Sequence, residues 1–66
     1  MEAHQLRVVQ EKEDLDDKIN KLTTFTTQSD IFKTLDSDEK VLLNLQLLVM
    51  TQYSDILGRR IQAFSE

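Results

Sequence analysis

Two stretches of the chain carry apolar residues at the spacing of an α-helix. In the first, one stripe at about 100° per residue contains Val8, Leu15, Ile19, Leu22 and Phe25. This period is that of a helix and not the alternation of a strand, and it predicts helix one over about residues 2–25. In the second stretch, the main apolar stripe contains Leu42, Leu43, Val49, Met50, Tyr53, Leu57, Ile61 and Phe64. It predicts helix two over about residues 37–64.

The connection between the helices, about residues 26–36, contains signals that end one helix and begin another. A cluster of threonines near the end of helix one lowers helix propensity, because β-branched side chains lose rotamer freedom against the preceding turn. Ser29 can cap a short helical turn, and Asp36 with Glu39 has the spacing of a capping box. The pattern therefore predicts an all-α fold, in which residues 1–66 form a single antiparallel two-helix hairpin with a short helical turn in the connection.

The middle of helix two is apolar on nearly all sides. Leu45, Leu47 and Leu48 point away from the main stripe, so the helix exposes more apolar surface than one partner helix can cover. Other copies of the chain are expected to cover the rest, which predicts a homo-oligomeric helical bundle without a stable monomer. The predicted oligomer core consists of Leu42, Leu45, Leu48, Val49 and Met50.

Composition agrees with self-association and narrows the range of partners. The 66 residues include no Cys and a single His, so we expect no disulfide, no metal and no cofactor to stabilise this small core. The formal net charge of −4 argues against polymeric nucleic acid as a partner. The most apolar stretch, residues 41–50, is far shorter than the roughly 20 residues of a membrane span, so no membrane partner is expected. The chain begins without the pattern of a signal peptide, and a cytosolic location is expected.

The chain shows no constellation of an enzyme. It has no Cys nucleophile, no pair of histidines and no Gly-rich phosphate loop, so we expect no enzymatic activity. The acidic cluster of helix one is typical of a solvated face rather than of a metal site. Asp55 and Arg59, four residues apart, predict an ordinary surface ion pair.

Polar residues interrupt the apolar stripe of helix one and are candidates for function. Toward the N-terminus its positions are taken by His4, Arg7 and Glu11, with Lys18 at the edge. One interpretation is a solvated helix start in which Glu11 and Lys18 form a surface ion pair. The other is that this half of the face contacts a ligand or a symmetry-related copy.

Helix two has polar residues at two comparable positions. Gln46 lies at the centre of the stripe and Arg60 on its flank, and buried polar groups are costly unless they are hydrogen-bonded. For Gln46 we favour a hydrogen-bonded bridge between the helices. For Arg60 the partner is either a carboxylate of helix one, from Glu11 or Asp16, or a bound phosphate, which the planar guanidinium suits.

The spacing of these residues resembles that of a known phage protein family. Helix one has the pattern Arg7-Val8-x-x-Glu11-x-x-x-Leu15-x-x-Lys18-x-x-x-Leu22-x-x-Phe25. Helix two has the pattern Leu42-Leu43-x-x-Gln46-x-x-x-Met50-x-x-Tyr53-x-x-Ile56-Leu57-x-x-Arg60-Ile61. From about Arg7 to Phe64 the chain resembles the hairpin domain shared by the anti-CBASS cyclic-nucleotide sponge and the Thoeris anti-defence sponge.

The resemblance implies a non-catalytic protein that sequesters cyclic di- or trinucleotide immune signals in the host bacterial cytosol. It also implies a compact homo-oligomer, a hexamer in the best-known case. By position it assigns Lys18 to a dinucleotide site, Arg60 to a separate trinucleotide pocket, and His4 to the place of an aromatic residue. The candidate ligand-binding residues are Arg60, Lys18, His4, Arg7 and Tyr53. The alternative is a structural or protein-binding hairpin oligomer without a small-molecule ligand, whose polar residues only fix the register.

Overall fold

The computed structural model of the chain describes residues 1–64, which contain three α-helices and no strand. The helices are α1 (Ala3–Gln28), the short α2 (Asp30–Thr34) and α3 (Ser37–Ala63). The start of α1 lies beside the end of α3, so the two long helices pack antiparallel in a molecule of 47 × 15 × 14 Å. The predicted all-α fold with two long helices is confirmed, and α1 continues to residue 28. No helix in the described part of the chain is long and apolar enough to cross a bilayer.

Side-chain caps set where α2 and α3 begin. The Oγ of Ser29 accepts a hydrogen bond from the backbone N–H of Ile31 at 3.1 Å, and Oδ1 of Asp36 accepts one from Asp38 N–H at 3.4 Å. Both caps were expected from the sequence, because a free N–H at a helix start needs an acceptor. The connection is held against α1 by an edge-to-face contact between the last predicted residue of helix one, Phe25, and Phe32.

The core between α1 and α3 is small. Its buried apolar side chains are Val8, Leu15 and Leu57, and the side chains packed around them are Ile19, Met50, Ile61 and Phe64. A core of this size adds little stability, which agrees with the expectation that so short a chain gains stability from association.

The face of α3 that contacts α1 is rotated about the helix axis from the predicted stripe, by less than the roughly 100° that separates successive residues. Ser54 is buried, whereas Leu42, Val49 and Tyr53, which the stripe placed inward, are exposed. The stripe is the mean direction of all apolar side chains on the helix. Because some of these side chains, such as Leu42 and Val49, are exposed, they shift that mean direction away from the face that packs on α1. Leu47, predicted to point away, is half-buried for the same reason.

One further prediction for α3 was wrong. Gln46 is exposed and donates to the Sδ of Met50 at 3.9 Å within its own helix, so it does not bridge the helices. Met50, assigned to the oligomer core, is half-buried against the core of the single hairpin. The other four residues of that predicted core are each at least half exposed. Association between copies stays a prediction.

Candidate functional site

One edge of the hairpin, which we call the network edge, is held by Lys12, Asp16 and Ser54. Lys12 Nζ donates to Asp16 Oδ2 at 2.9 Å and to Ser54 Oγ at 2.8 Å, and the Ser54 hydroxyl donates to Asp16 Oδ1. The hydrogen bonds from Ser54 and then from Lys12 lower the pKa of Asp16 below its usual value. Because the network joins α1 to α3, it fixes the register of the two helices.

Gly58 lies next to this network. A Cβ at that position would lie 3.4 Å from Cε of Lys12, which is an ordinary contact distance and shows that the lysine stem lies along α3 here. On the solvent side of the same edge, Arg59 Nε donates to Asp55 Oδ2 at 2.9 Å, which confirms the predicted surface pair. The i,i+4 spacing of Lys12 and Asp16 signals a local pair in the sequence, whereas nothing in the pattern signals the third member, Ser54.

On α1, two predicted ligand residues lie on the side opposite the network. At about 100° per residue, Lys12 and Asp16 fall to one side of buried Leu15, while Arg7 and Lys18 fall to the other. Arg7 and Lys18 therefore face away from the network edge.

On α3, two more predicted ligand residues occupy the matching side. Ser54 falls to one side of fully buried Leu57, and Tyr53 and Arg60 fall to the other. The network places the Lys12 side of α1 next to the Ser54 side of α3 along one edge of the hairpin. The opposite sides of the two helices therefore lie next to each other along the other edge. The edge opposite the network, which we call the open edge, therefore combines Arg7, Lys18, Tyr53 and Arg60.

The register places these four residues as two pairs along the hairpin. Lys12 contacts Ser54 and packs against Gly58, so residue 12 lies at the level of residues 54–58. Counting from that level in opposite directions along the helices, Lys18 falls within about one 5.4 Å turn of Tyr53. By the same count, Arg7 and Arg60 fall within about one turn of each other.

The residues of the open edge are exposed and unpaired. None of the four makes a hydrogen bond or an ion pair with any residue of the described range. Of the two alternatives for Arg60, the pairing with Glu11 or Asp16 is not formed, because Asp16 is held by the network and Glu11 makes no ion pair in residues 1–64. The surface pair of Glu11 with Lys18 is likewise not formed.

His4 lies at the end of the hairpin, one turn before Arg7 on α1. It is exposed in the first turn of α1, and it has no polar partner among the described residues. The structure therefore brings together four of the five predicted ligand residues on one edge and leaves His4 at the end. Whether they bind a ligand stays a prediction.

An exposed apolar strip on α3 borders the open edge. We define the strip as Leu42, Leu45, Val49 and Ile56, which are 50–61% exposed. Tyr53 and Arg60 lie at its margin, at i+4 from Val49 and Ile56 respectively. Single exposed apolar residues are common, whereas a row of them beside unpaired cations is a candidate interaction surface.

Comparison with known protein families gives one match for the chain. The family model described as Sequestin matches residues 2–63, which is nearly the whole chain. The chain belongs to the Sequestin family. No curated protein and no solved structure matches it. The family name is compatible with a sequestering function. The likeness to the anti-CBASS and Thoeris sponges stays a prediction.

In this Sequestin-family chain, the open edge has the chemistry to hold a small polyanion. A guanidinium without a carboxylate partner can donate two parallel hydrogen bonds to a phosphate. The exposed phenol ring of Tyr53 on the same edge offers a flat surface on which a base can stack. Glu11 on the same side of α1 supplies an acceptor for a hydroxyl or an amino group.

Proposed function

We propose that this Sequestin-family chain is a non-catalytic sponge for cyclic di- or trinucleotide immune signals. Acting in the host bacterial cytosol, it binds and holds the signal and so blocks anti-phage signalling of the CBASS or Thoeris kind. The observation that carries the proposal is the open edge, where Arg7, Lys18 and Arg60 are exposed and unpaired beside Tyr53.

The distribution of charge supports this proposal. The chain has a formal net charge of −4, yet three of the four Lys and Arg side chains without a carboxylate partner in residues 1–64 lie on one edge. The fourth, Lys40, lies over the ring of Phe32. The cations of the network edge are neutralised by Asp16 and Asp55, whereas those of the open edge have no such partner. A cyclic nucleotide carries phosphates for these cations and bases for the tyrosine ring.

The surface of the single chain supports repetition of this site in an oligomer. The chain exposes 5070 Å², whereas a compact monomer of its 7.7 kDa mass exposes about 4,300 Å². The excess is close to the roughly 800 Å² that each partner contributes to a standard interface. We propose that copies cover the apolar strip in a homo-oligomer, a hexamer as in the resembled family, and that the sites repeat around its axis.

The neighbouring arginines of α3 provide a matched test. Arg60 lies on the open edge without a partner, and Arg59 lies on the other edge bound to Asp55. A panel of cyclic di- and trinucleotides would be added to the wild type, Arg60→Ala and Arg59→Ala, and the melting temperature measured. Ligand that binds only the folded protein raises the melting temperature, by mass action. We expect that rise in the wild type and in Arg59→Ala, and its loss in Arg60→Ala.

Replacement of Arg60 by lysine separates the contribution of its charge to nucleotide binding from that of the planar guanidinium. Arg60→Lys keeps the positive charge and loses the bidentate fork, so we expect weakened binding with an unchanged apo melting temperature. An Arg60→Ala protein that binds every nucleotide the wild type binds would contradict the assignment of this arginine. A wild type whose melting temperature responds to no member of the panel would contradict the proposed function and favour the structural hairpin instead.

A further inference from the structure

A second concave surface lies at the end of the hairpin, where α1 begins and α3 ends. This end cleft has a volume of about 510 Å³ and is lined by Met1, Gln5, Ile61, Gln62 and Phe64. Its size falls in the range of small-molecule sites, and its lining combines an aromatic ring and apolar side chains with amide groups. None of the residues assigned to the ligand above lines it.

Gln5 contributes an oriented hydrogen-bond donor to the end cleft. Its Oε1 accepts the backbone N–H of Glu2 at 2.8 Å, which determines which way the amide points. Its Nε2 has no partner among the described residues, so two N–H donors remain for an acceptor. The edge of a purine presents such acceptors in the plane of its rings.

Phe64 connects the end cleft to the open edge. It is half-buried against the core, and it follows Arg60 by four residues, so the two side chains lie on the same side of α3. The guanidinium of Arg60 therefore lies about one turn from a base stacked on the ring of Phe64, within reach of the phosphate of that base.

We infer that the end cleft is a second base-binding subsite of this chain, separate from the ring of Tyr53, and takes a purine whose phosphate contacts Arg60. The inference rests on the proposed function and adds to it a subsite and a class of base. In the cleft, Phe64 and Ile61 contact the faces of the purine, and Gln5 donates to an acceptor on its edge.

A fluorescent reporter placed in the cleft tests the inference. The chain has no Trp, so Phe64→Trp introduces a single indole at the proposed site. Phe32→Trp is the matched control, because Phe32 lies in α2 at the opposite end of the hairpin. With cyclic di-AMP and cyclic tri-AMP as probes, we expect quenching by the bound nucleotide in Phe64→Trp and none in Phe32→Trp. Calorimetric binding without quenching in Phe64→Trp would overturn the inference.

Affinities of the purine probes for two cleft variants test the inference without the tryptophan reporter. Phe64→Leu retains an apolar side chain for the core and removes the ring, so we expect at least about a fivefold loss of affinity for the purine probes. Gln5→Leu removes the donor, and we expect a loss of about fivefold to tenfold. If Arg60→Ala abolishes binding while both cleft variants bind as the wild type does, the base subsite is wrong and the proposed function stands. If the wild type binds no nucleotide, both are wrong.

Discussion

Substitution of Leu45 by glutamate is expected to dissociate the proposed oligomer. Leu45 lies in the apolar strip and is 50% exposed in the single chain, so association has about half of a leucine side chain left to bury. That burial contributes about 1 kcal/mol per copy. A carboxylate in its place loses this contribution and adds a desolvation penalty of several kcal/mol.

Together these effects weaken each interface by about 3–5 kcal/mol, which is more than about a hundredfold in the association constant. Because the hairpin core contains only three buried apolar side chains among the described residues, we expect the separated chains to lose helical structure as they dissociate. Leu48→Glu, on the adjoining turn, is expected to behave in the same way.

Sedimentation velocity and far-UV circular dichroism, measured over a range of micromolar concentrations, check this expectation. Asn20→Glu is the matched control, because it introduces the same charge at an exposed position of α1 rather than on α3. We expect this control to sediment and melt as the wild type does. A wild type that is a well-folded species of 7.7 kDa at these concentrations, or a Leu45→Glu protein with unchanged mass and melting temperature, would refute the reasoning.

Three other predictions concern the hairpin itself. Leu57→Ala removes a side chain that is fully buried, so we expect a loss of about 2–5 kcal/mol in thermal unfolding, and an unchanged melting curve would contradict the described core. Ser54→Ala removes the hydroxyl that joins the helices and is expected to cost about 1–2 kcal/mol, whereas an effect below the error of the melts would show that the network contributes no stability. The pKa of Asp16 is depressed in the folded chain, so its stabilisation is present above the ordinary carboxyl value of 3.8 and is lost as the pH falls below it. Melting temperatures across this acid range should fall less steeply for Asp16→Asn than for the wild type, and parallel curves would contradict this assignment.

The fold follows from local signals that the sequence states clearly. The helical period identifies both long helices, and Ser29 and Asp36 mark helix starts because each carries an acceptor for a free backbone N–H. The facing side of α3 was harder to predict, because a helix with two apolar surfaces has no single stripe. Ser54 could not be identified from the pattern, because a serine contributes nothing to an apolar stripe. Its role depends on Lys12 and Asp16 of α1, which lie close to it only in the folded chain.

The candidate site was predictable in its residue types and not in its partners. Arg59 has an acidic residue, Asp55, four positions before it, and that spacing alone predicts its ion pair. Arg60 has Ile56 at the same offset, so no local partner exists and the distant candidates on α1 had to be considered. The structure was needed to test these candidates. It shows that Asp16 is hydrogen-bonded to Lys12 and Ser54 on the network edge, away from Arg60.

Arg59 and Arg60 are adjacent in sequence but lie on opposite edges of the hairpin. This arrangement limits where residues can be inserted into or deleted from the chain. One residue inserted into α3 just before Arg59 would turn every later side chain by about 100° and move both arginines off their present edges. It would also carry Ile61 and Phe64 away from α1. Insertions and deletions should therefore be confined to the connection and the termini, whereas the two long helices diverge by substitution alone.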